Sequence, residues 1–222
     1  MSTSVFVRRN LPWLIIAIVV VAFALLFLFR PEPATGVPPT SALPTSTTST
    51  PSVLIPDDAP MDGPFAAKAT LVEFLDYQCP ACAAYHTIVK NLRQTYAGRV
   101  RFVIRQFPIV EAHPFAKGAS IAAVCAQKQG KFFEYSDTLF EHRDNLTRTD
   151  LETYAKEMGM DPATFSACLD DKGVERRVIR DRVDGEVFGI TGTPTFFLNG
   201  KIVDGLPSEE ELKAMLDKAL AP

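Results

Sequence analysis

The chain has no strong charge of either sign. Its 222 residues carry 23 basic and 26 acidic side chains, a formal net charge of −3, and no block of like charge runs longer than a few residues. That balance speaks against nucleic acid as a partner. No internal repeat is visible, and there is no second Cys-x-x-Cys to complete a four-thiolate metal site. Only four cysteines are present, Cys79, Cys82, Cys125 and Cys168, which make two pairs at most. Their chemistry depends on the compartment, because disulfides persist outside the reducing cytoplasm.

Two stretches near the N-terminus lack charge, for different reasons. Residues 11–29 are 19 consecutive residues with no charged or amide side chain. As a helix at about 1.5 Å per residue they span roughly 28 Å, close to a bilayer core of about 30 Å. No polar face exists to seat such a helix on a soluble core. Arg8 and Arg9 precede the run and only Arg30 follows it, so the positive-inside bias predicts residues 1–10 in the cytoplasm and everything after residue 29 outside. Trp13 lies near the cytoplasmic end of this single span. A cleaved signal peptide is the competing reading, but its apolar region is about 7–15 residues long and is followed by small residues. Here the run ends in Leu25, Leu26, Phe27, Leu28 and Phe29, with no A-x-A pattern close behind. An uncleaved anchor at the cell membrane is therefore expected.

The second stretch, within residues 30–62, is expected to be a linker. Residues 31–62 hold eight prolines and ten serines or threonines, and residues 33–56 carry no charge. Such a composition buries too little apolar surface to fold, and its prolines favour extended conformations. Val53, Leu54 and Ile55 are read as an apolar spot within it.

Residues 63–222 are then one folded domain of about 160 residues, enough for a sizeable core. Leu71, Val72, Phe74 and Leu75 form a nearly continuous apolar run, the pattern of a strand covered on both faces. A helix over 80–97 and a strand over 99–105 follow, which makes a βαβ unit and a parallel pairing. Residues 113–188 read as helical throughout, too long for an ordinary crossover, and so predict a helical subdomain inserted into an α/β core. Within it, Thr149 and Glu152 fit a capping box, Asp161-Pro162 fits an N-cap and N1, and a helix is expected to end near Gly173. Val174, Val178 and Val183 are expected to line the last long helix. The core resumes with a strand at 195–198, an Asn199-Gly200 hairpin turn and a return strand at 201–203. Ser208 caps a final helix.

The chemistry is expected at Cys79-Pro80-Ala81-Cys82, where the first strand gives way to the first helix. With Cys79 at the N-cap and Pro80 at N1, the amides of Ala81 and Cys82 point at the Cys79 sulfur. Free N–H groups and the positive end of the helix dipole favour a thiolate, which makes Cys79 the nucleophile. Cys82, three residues on and inside the helix, is the resolving partner. A metal site is the rival, since Cys79, Cys82 and His86 have suggestive spacing and His113 is available. Its second ligand pair is missing, so no metal is assigned and both histidines are read as surface residues.

The segments around Glu73–Cys82 and Thr191–Gly200 resemble the two signatures of the DsbA-like thiol:disulfide oxidoreductases. These are thioredoxin-fold proteins with an inserted helical domain, and the resemblance covers about residues 63–222. It implies that Pro194 has a cis peptide bond and that Thr193 presents a backbone edge to an extended substrate strand. It implies a proton-handling role for Glu73, six residues before Cys79 on an apolar strand. It also implies a second disulfide between Cys125 and Cys168, consistent with two leftover cysteines in an exported chain. Many relatives have histidine where this chain has Ala81, so a milder oxidant is expected. The expected activity is oxidation of cysteine pairs in exported proteins, with no cofactor, by a monomer that a membrane redox partner reoxidises. A reductase or isomerase of the same fold is the alternative, followed by a non-catalytic chaperone or metal-binding module.

Overall fold

The computed structural model describes residues 53–222. The expected cytoplasmic segment 1–10, the expected transmembrane span 11–29 and most of the expected linker lie outside the described residues. Among the described residues no helix is long and apolar enough to cross a membrane.

A five-stranded sheet runs in the order β1-β3-β2-β4-β5. Its centre is β2, Ala69–Leu75, and every residue of that strand is buried. The near-continuous apolar run is what allows this, because a central strand covered on both faces has no solvent side to supply with polar residues. Strand β2 pairs in parallel with β3, Val100–Gln106, and antiparallel with β4, Thr195–Leu198. Helix α1, Pro80–Thr95, makes the crossover between β2 and β3. Beyond β4, Asn199 and Gly200 take φ of 50° and 81° and turn the chain into β5, Lys201–Ile202. Two positive φ values are what a two-residue hairpin turn requires.

Five helices fill the interval between β3 and β4: α2, Ala116–Lys128; α3, Phe132–Glu141; α4, Arg148–Glu157; α5, Pro162–Leu169; and α6, Lys172–Val187. Helix α7, Glu209–Leu220, closes the fold, with Ser208 and Glu211 forming its capping box. One sheet face packs Leu71, Phe102 and Phe196 against Val89 and Leu92 of α1 and Leu212 and Leu216 of α7. The opposite face packs Val72, Phe74, Val103, Phe107 and Phe197. A third core, inside the insertion, reaches across to Leu75, Ile104 and Cys82. The inner cysteine therefore lies in the apolar joint between the two parts of the domain.

Several local expectations need correction. The folded unit does not start at residue 63. Leu54 is 1% exposed, and β1, Met61–Asp62, pairs antiparallel with β3, so residues 53–62 form a strap on the domain and not a linker. Helix α4 is capped by Thr147 and Asp150, not by Thr149 and Glu152. Both pairs fit the pattern, but Glu152 is taken by Arg148 at 3.0 Å and by the Ser166 hydroxyl at 2.9 Å. Gly173 does not end a helix. It lies in the first turn of α6, where its N–H donates to the N-cap Asp171 at 2.7 Å. Val174 and Val178 are buried as expected, but Val183 is half exposed.

Three arginines of α6 are held in ion pairs. Arg177 and Arg180 both hold Asp58 of the strap, and Arg182 holds Glu111 and the Pro108 carbonyl. Asp181 is buried and meets Arg105 of β3 at 3.0 Å. Arg105, wholly buried, also meets Asp184 at 2.6 Å and donates to the carbonyls of Val53 and Leu54 at 2.7 and 2.9 Å. The strap is thus tied down by an interior cation.

Candidate active site

The turn that leaves β2 is built around Asp76. Its carbonyl accepts the Cys79 N–H at 3.2 Å, and its carboxylate accepts the Gln78 N–H at 2.7 Å. Cys79 is the N-cap of α1, with extended backbone at φ −68° and ψ 123°, and Pro80 occupies N1. Proline is suited to that position, since the first helical N–H has no partner to lose. Both cysteines are free thiols in this structure.

The two sulfurs have opposite environments. Cys79 is 8% exposed and its pKa is lowered to about 5. The Cys82 thiol is the leading cause, joined by the backbone N–H groups of Cys82 and Ala81 and by the Thr193 side chain, against the opposing effect of burial. Cys82 is fully buried, and burial pushes its pKa far upward despite the Asp76 N–H that reaches its sulfur at 3.4 Å. At neutral pH the outer sulfur is therefore a thiolate and the inner one a thiol that hydrogen-bonds to it.

The Thr193–Pro194 bond is cis, and the loop it shapes lies directly against the thiols. Cys79 Sγ lies 3.3 Å from the Thr193 carbonyl, a bond only the protonated sulfur makes. The Thr193 hydroxyl is buried and has no hydrogen bond of ordinary geometry, yet its proximity favours the ionised form of both sulfurs. Beside this loop lies a cleft of about 350 Å³ lined by Ile190, Thr193, Pro194, Ile202 and Leu206, among others.

Glu73 is 3% exposed on β2, and burial raises its pKa to about 8. It belongs to the same sheet face as Leu71 and Leu75, the face that packs against α1 and the inner cysteine. Cys125 and Cys168 form a separate pair. They join α2 to α5 through an S–S bond of 2.07 Å across a separation of 43 residues.

Neither His86 nor His113 is a freely exposed residue. His86 bonds Asp137 of α3 at 2.8 Å and stacks on Phe140 at 4.5 Å between ring centroids, and burial lowers its pKa. His113 bonds the Asp76 carboxylate at 2.8 Å. The two point to different partners, and among the described residues no group of three or more His, Cys, Asp or Glu side chains is placed to hold a metal ion. Asp76 and Tyr77 are the neighbours that sequence patterns missed, and His113, weighed there only as a metal ligand, is a third. Tyr77 is buried and shares a 2.8 Å hydrogen bond with Ser136 of α3. The acidic residue in the turn, three positions before Cys79, was the available signal.

Residues 48–218 match the thioredoxin family. The chain belongs to that family. Among solved structures it is similar to a thioredoxin-like oxidoreductase from Silicibacter pomeroyi DSS-3, at 27% identity and a TM-score of 0.68, over 77% of this chain and 98% of that one. It is also similar to oxidised BdbD from Bacillus subtilis, at 25% identity and a TM-score of 0.66, over 73% and 93% of the two chains. Wolbachia pipientis alpha-DsbA1 shares the fold at 20% identity and a TM-score of 0.68, over 78% of this chain and 96% of that one. The fold is thus DsbA-like, and a thioredoxin-like oxidoreductase is among the solved structures that share it. Among curated proteins, the Na(+)/H(+) antiporter NhaA 3 of Salinispora tropica is 36% identical over 166 residues, 75% of this chain. Only 25% of that protein is covered, so the chain spans about a quarter of the length of the curated relatives it matches.

Proposed function

We propose that this protein introduces disulfides into exported proteins through the Cys79–Cys82 pair, held at the membrane by residues 11–29 with its folded domain outside the cytoplasm. The observation that carries the oxidase direction is the contrast between the sulfurs. A Cys79 pKa of about 5 makes this sulfur a good leaving group and favours the reduced enzyme over its disulfide.

The reaction starts from the oxidised enzyme. A substrate thiolate attacks Cys79, the Cys79–Cys82 bond breaks, and the electron pair leaves on Cys82. That sulfur, disfavoured as a thiolate by burial, takes a proton, for which Glu73 is the buried donor. A second substrate thiolate attacks its partner sulfur in the mixed disulfide and Cys79 leaves as a thiolate. The substrate gains a disulfide, and the enzyme is left with two electrons more. A membrane redox partner then removes them. The Thr193 backbone, 3.3 Å from Cys79, is the edge on which an extended substrate would lie. The apolar run at 11–29 supports the anchor. The domain acts as a monomer on protein substrates, without nucleic acid.

Alkylation of thiols in intact cells tests this reading. Cys79 and Cys82 resting as a disulfide support the oxidase, whereas a mainly reduced pair rejects it in favour of a reductase or isomerase. Retention of function by Cys79→Ser would instead point to a non-catalytic module.

A further inference from the structure

The Asp76 carboxylate does more than shape the cysteine turn. Asp76 is wholly buried, and besides the Gln78 N–H on Oδ1 its Oδ2 accepts the Ile109 N–H and His113 Nδ1–H, each at 2.8 Å. Its own N–H meets Cys82 Sγ and its carbonyl takes the Cys79 N–H. A single residue therefore bonds to both cysteines and to the loop between β3 and α2. The Phe115 N–H closes the same loop onto Gln78 Oε1 at 2.6 Å, next to Cys79. Val110 and Phe115, both partly exposed, give this loop an apolar rim.

An ionised carboxylate facing Nδ1 requires the proton there, which leaves Nε2 with a lone pair. No described residue bonds Nε2, and the His113 side chain is 20% exposed. The other charged groups nearby are already paired: Glu111 of the loop with Arg182 of α6, and Lys117 of α2 with Glu175 of α6. The geometry is that of a base oriented by a buried acid, set on the turn that carries the reactive sulfur. The exchange reaction leaves such a base a task. A cysteine thiol of pKa about 8.5 is only about 3% ionised at pH 7, and the incoming thiol must lose its proton before it attacks.

We propose that His113, oriented by Asp76, is the general base that deprotonates the incoming substrate thiol. This rests on the reading that Cys79 is the sulfur attacked. The substrate S–H proton passes to His113 Nε2, and the Asp76 carboxylate stabilises the imidazolium. The thiolate then forms its bond to Cys79 as the Cys79–Cys82 bond breaks, and the imidazolium returns its proton to solvent. Thr193 and the loop bearing His113 both bond to the one turn, Thr193 at Cys79 and His113 at Asp76.

The test uses the full, preoxidised chain in detergent and two thiols under single-turnover conditions. One is a cysteine peptide of ordinary thiol pKa; the other is an aromatic thiol already ionised across the assay range. His113→Asn keeps a donor for Asp76 but removes the base. It should slow the peptide reaction at pH 7 at least tenfold, while the aromatic thiol reacts within twofold of wild type. Equal slowing of both thiols, or no slowing of the peptide, overturns the proposal. The wild-type protein gives a second measurement that needs no variant. The ratio of peptide to aromatic rate constants should level off at a pH below the thiol's own pKa. A ratio that climbs tenfold per pH unit up to the thiol's own pKa also overturns it. Mass spectrometry of the acid-quenched mixture separates this from the underlying reading. Peptide found on Cys82, not Cys79, refutes the attacked sulfur whatever the His113 result.

Discussion

Cys79 and Cys82 are three residues apart and still differ in ionisation, because one faces the helix start and the other the apolar joint. The consequence is measurable. In the reduced protein the Cys79 pKa is lowered from 9.0 to about 5, so its stabilising effect is present at higher pH and is lost as pH falls through 5. At pH 7 it contributes at most about 3 kcal/mol, reduced by solvent screening near the surface. The disulfide form has no such term. The reduced protein should therefore melt above the oxidised one at pH 7, with the gap closing towards pH 5, and the thiolate absorbance of the reduced protein should titrate with a midpoint near 5. A thiolate midpoint at the ordinary cysteine value would remove the basis for the oxidase. Glu73 has the opposite sign. Its folded pKa of about 8 lies above the 4.5 of an unperturbed carboxyl, so the folded state holds the proton more tightly. Stability should fall as pH rises from about 4.5 to about 8. Glu73→Gln, which mimics the protonated form, should flatten that decline and raise stability at pH 8 by on the order of 3–5 kcal/mol in denaturant titrations.

Among the elements, α6 links the two parts of the domain. Its first half contributes Val174 and Val178 to the core of the insertion, and its second half lies on the sheet. Gly185 allows this approach. A Cβ there would come within 2.6 Å of the Phe107 ring and 3.2 Å of Phe74. Gly185→Ala should thus cost about 1–3 kcal/mol in thermal unfolding, because Phe107 would have to leave a packed cluster. If the variant is as stable as the wild type, the helix can shift on the sheet more freely than this packing implies. The disulfide acts within the insertion, where closing its loop stabilises by about 4 kcal/mol in the chain-entropy model. It pins α2 to α5 and leaves α6 to carry the connection back to the sheet.

In the whole molecule, the best-hidden feature is the ion cluster beneath the strap. Arg105 is fully buried, with Asp181 and Asp184 against it. Arg105→Met should destabilise the domain by about 3–5 kcal/mol, because it removes the buried countercharge of Asp181 and leaves the more exposed Arg180, at 3.6 Å, as its remaining ion-pair partner. It should also expose residues 53–62 to proteolysis before the rest of the domain unfolds, and a strap that stays protected would refute the role assigned to Arg105. Sequence reading could not reach this cluster. An arginine in an alternating strand reads as a solvent-facing residue, and Asp181 looks like part of a charged helix surface. Only the fold brings them together. The same holds for Asp76 and His113, whose contact spans 37 residues. Local signals were readable where they are local in cause: the strand-to-helix junction at Cys79, the parallel βαβ unit and the Asn199-Gly200 turn each depend on a few adjacent residues. Capping boxes failed where two overlapping patterns competed and tertiary partners chose between them.

The strap also sets how the domain bears mechanical load. A pull applied through the chain at Val53 is met first by the two Arg105 bonds to the carbonyls of Val53 and Leu54, then by the bonds between Asp58 and Arg177 and Arg180, and last by the short β1–β3 ladder. All of these restrain the side of the sheet where β3 is paired. Cys79 and Thr193 meet across β2 and β4, on the other side of the central strand. Such a load is therefore carried by attachments that do not include the thiol site, and the Cys79–Thr193 contact keeps its geometry while the strap takes the strain.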